Sequence, residues 1–166
     1  MGAGKTSVGI KLAEALGKKF IDSDREIENK TGASIPLIFE LEGEKGFRTR
    51  ECDAIDTLTK EDNIVLATGG GSILDKNNRA TMKKRGYVIY LQAPLEQLLE
   101  RTSKDKNRPL LQTADPRKTL SDIIEKREPL YRQTADLVYT TNDKQIRDVI
   151  NNILSLLKNI KPSESA

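Results

Sequence analysis

Apolar positions along the chain follow two spacings, and the order in which these spacings occur predicts the fold. Continuous apolar runs such as IVLAT at 64–68 and YVIYL at 87–91 are typical of strands that are buried on both faces of a sheet. Two shorter runs with the length of a strand are KFID at 19–22 and LVYTT at 137–141. Four strands are therefore predicted.

Between the strands, apolar residues recur every three or four positions, which is the spacing of a helix with one buried face. Val8, Leu12 and Leu16 follow this spacing after a glycine-rich start, and Gly17 is suited to end the helix. The other predicted helices span about 24–30, 35–41, 44–60, 75–85, 94–103, 116–127 and 146–157.

Strands that alternate with helices predict an α/β fold, in which one domain has a central parallel sheet between two helical layers. A glycine-rich phosphate loop normally joins a strand to a helix, and the first strand of such a sheet is commonly central. No residue precedes Met1 to form that first strand. We therefore expect the natural protein to extend upstream of Met1 by roughly 5–6 residues plus a turn.

Residues 104–115 interrupt the alternation of strands and helices. This stretch, KDKNRPLLQTAD, is polar and contains Pro109. A loop of this length within a compact domain is often a lid or a binding loop, so a lid is predicted here. The domain is expected to span 1–160, and the last residues, 161–166, are expected to form a flexible tail.

Composition limits the partners of the protein. The 166 residues suit one domain. The net charge is +3, from 28 basic and 25 acidic residues, which argues against a dedicated nucleic-acid binder. No apolar stretch approaches the roughly 20 residues of a membrane span, and no secretory leader is evident. We expect a cytoplasmic monomer that binds neither nucleic acid nor membranes.

The chemistry of the chain is limited by the absence of histidine. Without histidine there is no Ser-His-Asp or Cys-His mechanism and no histidine-ligated zinc. The single cysteine, Cys52, forms no intrachain disulfide. Catalysis must therefore use carboxylates, lysine, arginine, backbone amides or a hard cation.

The opening segment, MGAGKTS, matches the second half of the phosphate-loop signature G-x-x-x-x-G-K-[ST]. Its small residues would let backbone amides at the start of a helix face phosphate oxygens. Lys5 would reach the terminal phosphates of a nucleotide, and the Thr6 hydroxyl would be a ligand for Mg²⁺. The alternative is a glycine-rich turn before an ordinary helix.

Two aspartates, Asp22 and Asp24, follow the strand predicted at 19–22. They would lie at the C-terminal edge of the sheet, where α/β proteins bind ligands. One could help to hold a metal through water, and the other could accept a proton from a substrate hydroxyl. Alternatively, Ser23 or Asp24 caps the next helix, which would exclude neither function.

A glycine triplet and three arginines complete the candidates. Gly69, Gly70 and Gly71 follow a buried strand, where a bare backbone permits close approach of a ligand; a flexible turn is the alternative. Arginine binds carboxylate or phosphate in a planar, bidentate manner. The candidate arginines are Arg48, Arg108 on the predicted lid, and Arg127 at a predicted helix end before Pro129. Spacing alone does not distinguish them from solvated surface residues.

In combination, these segments resemble the shikimate kinases from Met1 to about residue 160. The segments are MGAGKTSVG, FIDSD, GEKGFRTRE, VLATGGGS, NRPLL and KREPLYRQTAD. The resemblance implies a P-loop kinase fold like that of the nucleoside monophosphate kinases. It also implies transfer of the ATP γ-phosphate to the 3-hydroxyl of shikimate, on the route to chorismate and the aromatic amino acids, with ATP and Mg²⁺ as cofactors.

The resemblance also implies a role for each matching residue. ATP would be bound by Gly2, Ala3, Gly4, Lys5, Thr6, Ser7, Arg108 and Lys144. Mg²⁺ would be bound directly by Thr6 and through water by Asp22. Shikimate would be bound by Asp24, Arg48, Gly69, Gly70, Gly71 and Arg127. The catalytic residues would be Lys5, Asp24 as proton acceptor, and Arg108.

Two other functions stay open on the sequence. One is another small-metabolite kinase of the same fold, acting on gluconate or a nucleoside monophosphate. The other is a nucleotide-binding module that has lost catalysis. An assay of ADP release with each acceptor, together with calorimetry, distinguishes them.

Overall fold

The computed structural model describes residues 2–103, 113–142 and 145–159. In these ranges four short strands alternate with helices, as predicted. The strands are β1 Lys19–Asp22, β2 Ile64–Ala67, β3 Ile89–Gln92 and β4 Leu137–Thr140. The helices are α1 Lys5–Leu16, α2 Ser23–Thr31, α3 Ile35–Leu58, α4 Lys76–Arg85, α5 Leu95–Ser103, α6 Pro116–Thr134 and α7 Ile146–Lys158, with a 3₁₀ turn at Ser72–Leu74. Arg108, Lys144, the segment 104–112 of the predicted lid and the predicted tail lie outside the described residues.

The strands pair in parallel, as the alternation of elements predicts. Strand β1 pairs with β2, so that Asp22 lies opposite Ala67, and β3 pairs with β4. Among the described residues these are two separate two-stranded sheets. Because β1 and β2 run in the same direction, the segment after Asp22 and the glycine triplet after β2 emerge at the same edge.

Strands β2 and β3 are less buried than predicted. The continuous apolar runs predict strands covered on both faces, but every residue of β3 and the first three residues of β2 are only half-buried. Each of these strands pairs along one side only within the part of the chain that the structure describes. The prediction of full burial is therefore wrong for these two strands, since an uncovered edge leaves the strand partly accessible.

The break predicted between the helices at 35–41 and 44–60 lies within α3. Gly43 has φ 68° and ψ −177°, a left-handed φ that favours glycine, and the helix changes direction there. The start of α3 is capped as the sequence suggests, because the Ser34 hydroxyl accepts the Leu37 amide at 3.4 Å. Two helices were thus predicted correctly in place, although they form one element with a kink.

Helix α6 extends seven residues beyond its predicted end at 127. Pro129 lies inside it, although proline removes one helical hydrogen bond. The residues beyond Pro129 make packing contacts that offset this loss: Thr134 is buried, and the Tyr131 ring stacks on Tyr90 with centroids 4.7 Å apart. As a result Arg127 lies in the middle of a helix, and its expected position at a helix end is wrong.

Apolar clusters hold the helices around the strands. Helices α1 and α7 pack with β4 through a cluster of Val8, Leu12, Tyr139, Val149, Ile150 and Ile153. Helices α2 and α3 share a second cluster, and Ala3 packs with Leu98 and Leu120 in a third. Burying a side chain of this size contributes about 1.5–3 kcal/mol. The third cluster fixes the glycine-rich loop against α5 and α6. None of the described helices is both long and apolar enough to cross a bilayer.

Candidate active site

The glycine-rich loop leads directly into α1. Gly4 has φ 81° and ψ 21° and is the N-cap of the helix, which has no side-chain cap. First-turn amides have no acceptor within a helix, and the helix dipole favours an anion at this end. The predicted ATP-binding residues Gly2, Ala3, Gly4, Lys5, Thr6 and Ser7 all lie at this helix start. The local backbone therefore suits a phosphate group.

Thr6 and Asp22 meet beside this loop. The Thr6 hydroxyl donates to Asp22 Oδ2 at 3.2 Å. Asp22 Oδ1 accepts the Asp24 amide at 3.0 Å and so caps α2. The cap is therefore Asp22, and the suggestion that Ser23 or Asp24 serves as the cap is wrong. Strand β1 ends at Asp22, and this position lets one carboxylate reach both the α2 amide and α1.

A hydroxyl and a carboxylate in this arrangement fit Mg²⁺. This ion prefers hard oxygen ligands and commonly takes only one or two from the protein, with water and phosphate completing the shell. The described ranges contain no cluster of three or more acidic, cysteine or histidine side chains that could hold a metal by themselves. Thr6 and Asp22 are thus suited to a magnesium ion that is shared with a nucleotide.

Asp24 lies two residues further on, in the first turn of α2. Its Oδ1 is buried and has no hydrogen-bond partner in the described structure. Burial raises the pKa of Asp24 above its ordinary value, the neighbouring Asp22 adds to the rise, and the Lys5 ammonium opposes it. Lys5 is therefore close enough to act on Asp24. An unpartnered buried carboxylate oxygen is suited to accept a hydrogen bond from a ligand.

The glycine triplet forms a turn that is held by defined hydrogen bonds. The Gly69 amide donates to the Ser23 hydroxyl at 3.3 Å. The Gly69 carbonyl accepts the Ser72 hydroxyl at 2.7 Å and the Ser72 amide at 3.1 Å. The Gly71 carbonyl accepts the Leu74 amide at 3.0 Å. These bonds are not those of a flexible turn.

Charged side chains approach the backbone of this turn closely at two of its glycines. A Cβ at Gly69 would lie 2.8 Å from both Asp24 Oδ1 and Glu51 Oε1. A Cβ at Gly71 would overlap the guanidinium of Arg48. Residues from β1–α2, α3 and the β2 turn, far apart in the sequence, thus converge here.

Arg48 is held by two glutamates of its own helix. Its Nη1 lies 2.7 Å from Glu51 Oε2, and its Nη2 lies 3.0 Å from Glu44 Oε1. Burial alone would lower the pKa of Arg48, but the hydrogen bonds to Glu51 and Glu44 raise it overall. The guanidinium therefore stays charged, and its orientation is fixed.

Glu51 is the most buried charged residue of this cluster, at 1% exposure. Burial raises its pKa, while the hydrogen bond from Arg48 opposes the rise. Its Oε1 has no partner among the described residues. Glu51 was not among the residues predicted from the sequence, although its place three residues after Arg48 would put both on one helical face.

Arg127 reaches the same cluster from α6. It is 7% exposed, and its charge lowers the pKa of Glu51 and of Tyr131 against the effect of their burial. The Arg48 side chain is also largely covered, at 21% exposure. Neither arginine is a solvated surface residue, which was the alternative left open by the sequence.

Tyr131 is a second residue that the sequence analysis missed. Its hydroxyl donates to the carbonyl of Gly70, and its ring stacks on Tyr90 at an interplanar angle of 17°. Burial raises its pKa, so the hydroxyl keeps its proton. The available signal was its spacing of four residues from Arg127, which puts both on one face of α6.

A cavity of about 110 Å³ connects the two sides of the site. It is bordered by Lys5 on the loop side, by Gly69 and Gly70 of the turn, and by Arg127 and Tyr131 of α6. The described lining does not include Asp24 or Arg48, which contact the turn at Gly69 and Gly71.

The sequence matches one family of known proteins along nearly its whole length. A family model described as shikimate kinase matches residues 1–158. A curated shikimate kinase from Nitrosococcus oceani is 52% identical over 161 residues, which cover 97% of this chain and 85% of that protein. One from Acinetobacter baumannii is 54% identical over 157 residues, covering 95% and 87%.

Solved structures agree with this match. The structure of a shikimate kinase from Acinetobacter baumannii in complex with shikimate superposes with a TM-score of 0.95 at 53% identity, covering 98% of this chain and 91% of that one. A shikimate kinase from Aquifex aeolicus superposes with a TM-score of 0.83 at 34% identity, covering 95% and 92%. The two short parallel strand pairs and their helices thus belong to a known kinase fold.

Proposed function

The chain belongs to the shikimate kinase family, and we propose how its residues carry out that family's reaction. The reaction is ATP-dependent phosphorylation of the 3-hydroxyl of shikimate, which gives shikimate 3-phosphate and ADP in the pathway to chorismate and the aromatic amino acids. Phosphoryl transfer needs alignment and charge neutralisation more than a strong base. A chain without histidine can supply both.

On the nucleotide side, the amides of Gly2 to Ser7 and the Lys5 ammonium hold the phosphates of ATP. The left-handed Gly4 at the start of α1 supports this role, because a helix start without a side-chain cap is suited to bind an anion. Thr6 binds Mg²⁺ directly and Asp22 through water, which their 3.2 Å contact supports. Mg²⁺ bound there would neutralise part of the phosphate charge. The binding of ATP by Arg108 and Lys144 stays a prediction, and so does the catalytic role of Arg108.

On the acceptor side, Arg48 and Arg127 bind the carboxylate of shikimate. Two largely covered guanidinium groups beside one cluster support this assignment, since arginine pairs with carboxylates in a bidentate manner. Asp24 binds a substrate hydroxyl and accepts its proton. Its unpartnered Oδ1 and its raised pKa support this role, because a carboxylate with a raised pKa is a better proton acceptor when ionised.

The glycine turn lines the site between the two substrates. Gly69 and Gly71 lie against the acceptor-side charges, and Gly69 and Gly70 border the same cavity as Lys5. We assign their amides to the shikimate side, near the transferring phosphate. The observation that carries the proposed function is this convergence of Lys5, Asp24 and the two arginines around a single turn.

An assay of ADP release tests the reaction directly. The protein is incubated with MgATP and, in separate reactions, with shikimate, gluconate and several nucleoside monophosphates. Turnover is expected with shikimate and with none of the other acceptors. Faster turnover with gluconate or a nucleotide would identify another kinase of this fold, and shikimate binding in calorimetry without turnover would identify a module that lacks catalysis.

The variant Arg127→Ala tests the carboxylate site. We expect the shikimate KM to rise by about a hundredfold, the equivalent of roughly 2.7 kcal/mol, while the ATP KM changes little. The matched control is Arg132→Ala on the same helix, since Arg132 is half exposed and pairs with Glu128 at 2.8 Å. Equal losses for both substrates in Arg127→Ala would contradict the assignment.

The cellular context is also a proposal. We propose that residues 1–160 form one catalytic domain that acts as a monomer in the cytoplasm and binds neither nucleic acid nor membranes. The near balance of charge supports the lack of nucleic-acid binding. Light scattering on the purified protein tests the oligomeric state, and fractionation of cells tests the cellular location.

A further inference from the structure

We propose that Tyr131 is a positioning residue for the reaction, because its hydroxyl fixes the glycine turn to the helix that carries Arg127. The inference rests on the proposed function and adds to it a group that contacts neither reacting atom. It links two parts of the site whose roles were assigned separately above, namely the carboxylate-binding arginine and the backbone beside the transferring phosphate.

The carbonyls of the turn are fixed by hydrogen bonds. All three carbonyls of the glycine triplet accept a hydrogen bond: Gly69 from Ser72, Gly71 from Leu74, and Gly70 from the Tyr131 hydroxyl. The first two donors lie within five residues of their acceptors, whereas Tyr131 is 61 residues away. Tyr131 therefore supplies the long-range bond that sets the turn relative to α6.

The amides of the turn depend on the same hydrogen bond. A peptide plane carries the carbonyl of one residue and the amide of the next. Fixing the Gly70 carbonyl therefore also fixes the direction of the Gly71 amide. No acceptor for the Gly70 or Gly71 amide is found in the parts of the chain that the structure describes. These amides are available to a ligand, and their direction depends on Tyr131.

Arg127 lies on the same face of α6 as Tyr131. Tyr131 follows it by one helical turn, and both border the cavity that Lys5 borders from the other side. The Arg127 charge acts on the Tyr131 hydroxyl, so the two groups are close. A hydroxyl at this place fixes the distance between the arginine and the turn.

The ring of Tyr131 is held independently of its hydroxyl. It stacks on Tyr90 of β3 with centroids 4.7 Å apart, and such pairs contribute about 0.5–1.5 kcal/mol beyond their buried area. Removing the hydroxyl alone should therefore leave the ring in place. Tyr90 offers a matched control, because no hydrogen bond from its hydroxyl is found in the described ranges.

The experiment compares Tyr131→Phe with Tyr90→Phe in steady-state kinetics of both substrates. We expect Tyr131→Phe to lower kcat by about tenfold and to raise the shikimate KM several-fold, while the ATP KM stays within about twofold; a tenfold change corresponds to 1.4 kcal/mol. Tyr90→Phe should match the wild type. Thermal unfolding of each variant reports any loss of stability separately.

The outcomes separate positioning from a structural role. A lower melting temperature of Tyr131→Phe with unchanged kcat and KM values would overturn the inference, and so would equal losses for both substrates or an equal effect of Tyr90→Phe. A second test introduces Tyr131→Phe into Arg127→Ala. If Tyr131 acts partly through Arg127, its effect on the shikimate KM shrinks there, whereas full additivity would contradict that link. A wild type that does not phosphorylate shikimate would instead overturn the proposed function itself.

Discussion

The phosphate side and the acceptor side of the site are built in different ways. The phosphate side is a single short segment, in which Gly4 and the first turn of α1 present backbone amides next to Lys5 and Thr6. The acceptor side draws Asp24, Arg48, Glu51 and Arg127 from three helices, and buried side chains hold one another there. A local backbone site can be recognised from seven residues, whereas a site of interlocked side chains exists only after folding.

This difference predicts how each side responds to substitution. On the phosphate side, the backbone amides stay in place when the Lys5 side chain is removed, so the loss appears in catalysis. On the acceptor side, each charged group positions a neighbour, so the loss spreads to substrate binding and to stability.

The largest effect is expected for Lys5→Met. It removes the cation assigned to the transferring phosphate, and losing one such group commonly reduces kcat by about 10²–10³-fold. The pKa of Asp24 should also rise further, because the Lys5 ammonium that opposes the rise in the wild type is removed. The acid limb of the kcat profile should therefore move to higher pH. Lys11→Met on the same helix, where Lys11 is exposed beside Glu14, should change neither.

The next largest effect is expected for Glu51→Ala. Without Glu51 the Arg48 guanidinium loses its 2.7 Å buried partner and keeps only the exposed Glu44, and removing the buried partner of a largely covered charge is costly. The shikimate KM should rise by about tenfold, or 1.4 kcal/mol, with lower thermal stability. Glu44→Ala removes the exposed partner of the same arginine and should have a much smaller effect. Equal effects of both variants would show that burial of Glu51 is unimportant.

A smaller effect is expected for Gly71→Ala. The new methyl group would overlap the Arg48 guanidinium, which can shift because it is the end of a flexible side chain. The shikimate KM should rise by roughly three- to tenfold, or about 0.7–1.4 kcal/mol, with little change in melting temperature. Gly86→Ala is the control, since its nearest contact would be 3.6 Å and its φ is not left-handed. A large drop in stability of Gly71→Ala would indicate that the backbone, and not Arg48, gives way.

The smallest effect concerns pH and stability. The pKa of Asp24 is raised above its ordinary value of 3.8 in the folded protein, so the folded state binds the proton more tightly than the unfolded state. Stability from this group is therefore full below pH 3.8 and is lost as the pH rises through the folded pKa. Asp24→Asn cannot ionise, so it should melt a few degrees higher at neutral pH, and the gain should vanish in acid. The control is Asp53→Asn, at an exposed position of α3, which should show no such gain.

Much of the fold was predictable because local patterns specify it. The strand at 19–22 and the caps at Gly17 and Ser34 match the structure, since propensity and hydrogen bonding there involve neighbours in the chain. The end of α6 was not predictable, because Tyr131 and Thr134 make contacts that continue the helix past Pro129. Local rules for proline do not include tertiary packing.

The candidate site shows the same division. The phosphate loop was identified as a candidate from its own residues, and the family resemblance supplied the remaining roles. Glu51 and Tyr131 were missed because neither carries a motif; their importance depends on partners, Arg48 and Gly70, that only the fold identifies. The one signal available for both was helical spacing from an arginine that was already a candidate.

Asp22 has two oxygens in two different hydrogen bonds, one starting α2 and the other reaching Thr6. Asparagine would keep only one acceptor oxygen, alanine would keep neither, and glutamate would place the carboxylate one methylene too far for the cap. The position therefore has a very narrow mutational tolerance, although Asp22 is neither the base nor a direct metal ligand in the proposed mechanism. A library with all amino acids at residue 22, selected for growth that depends on the activity of this enzyme, should return aspartate alone.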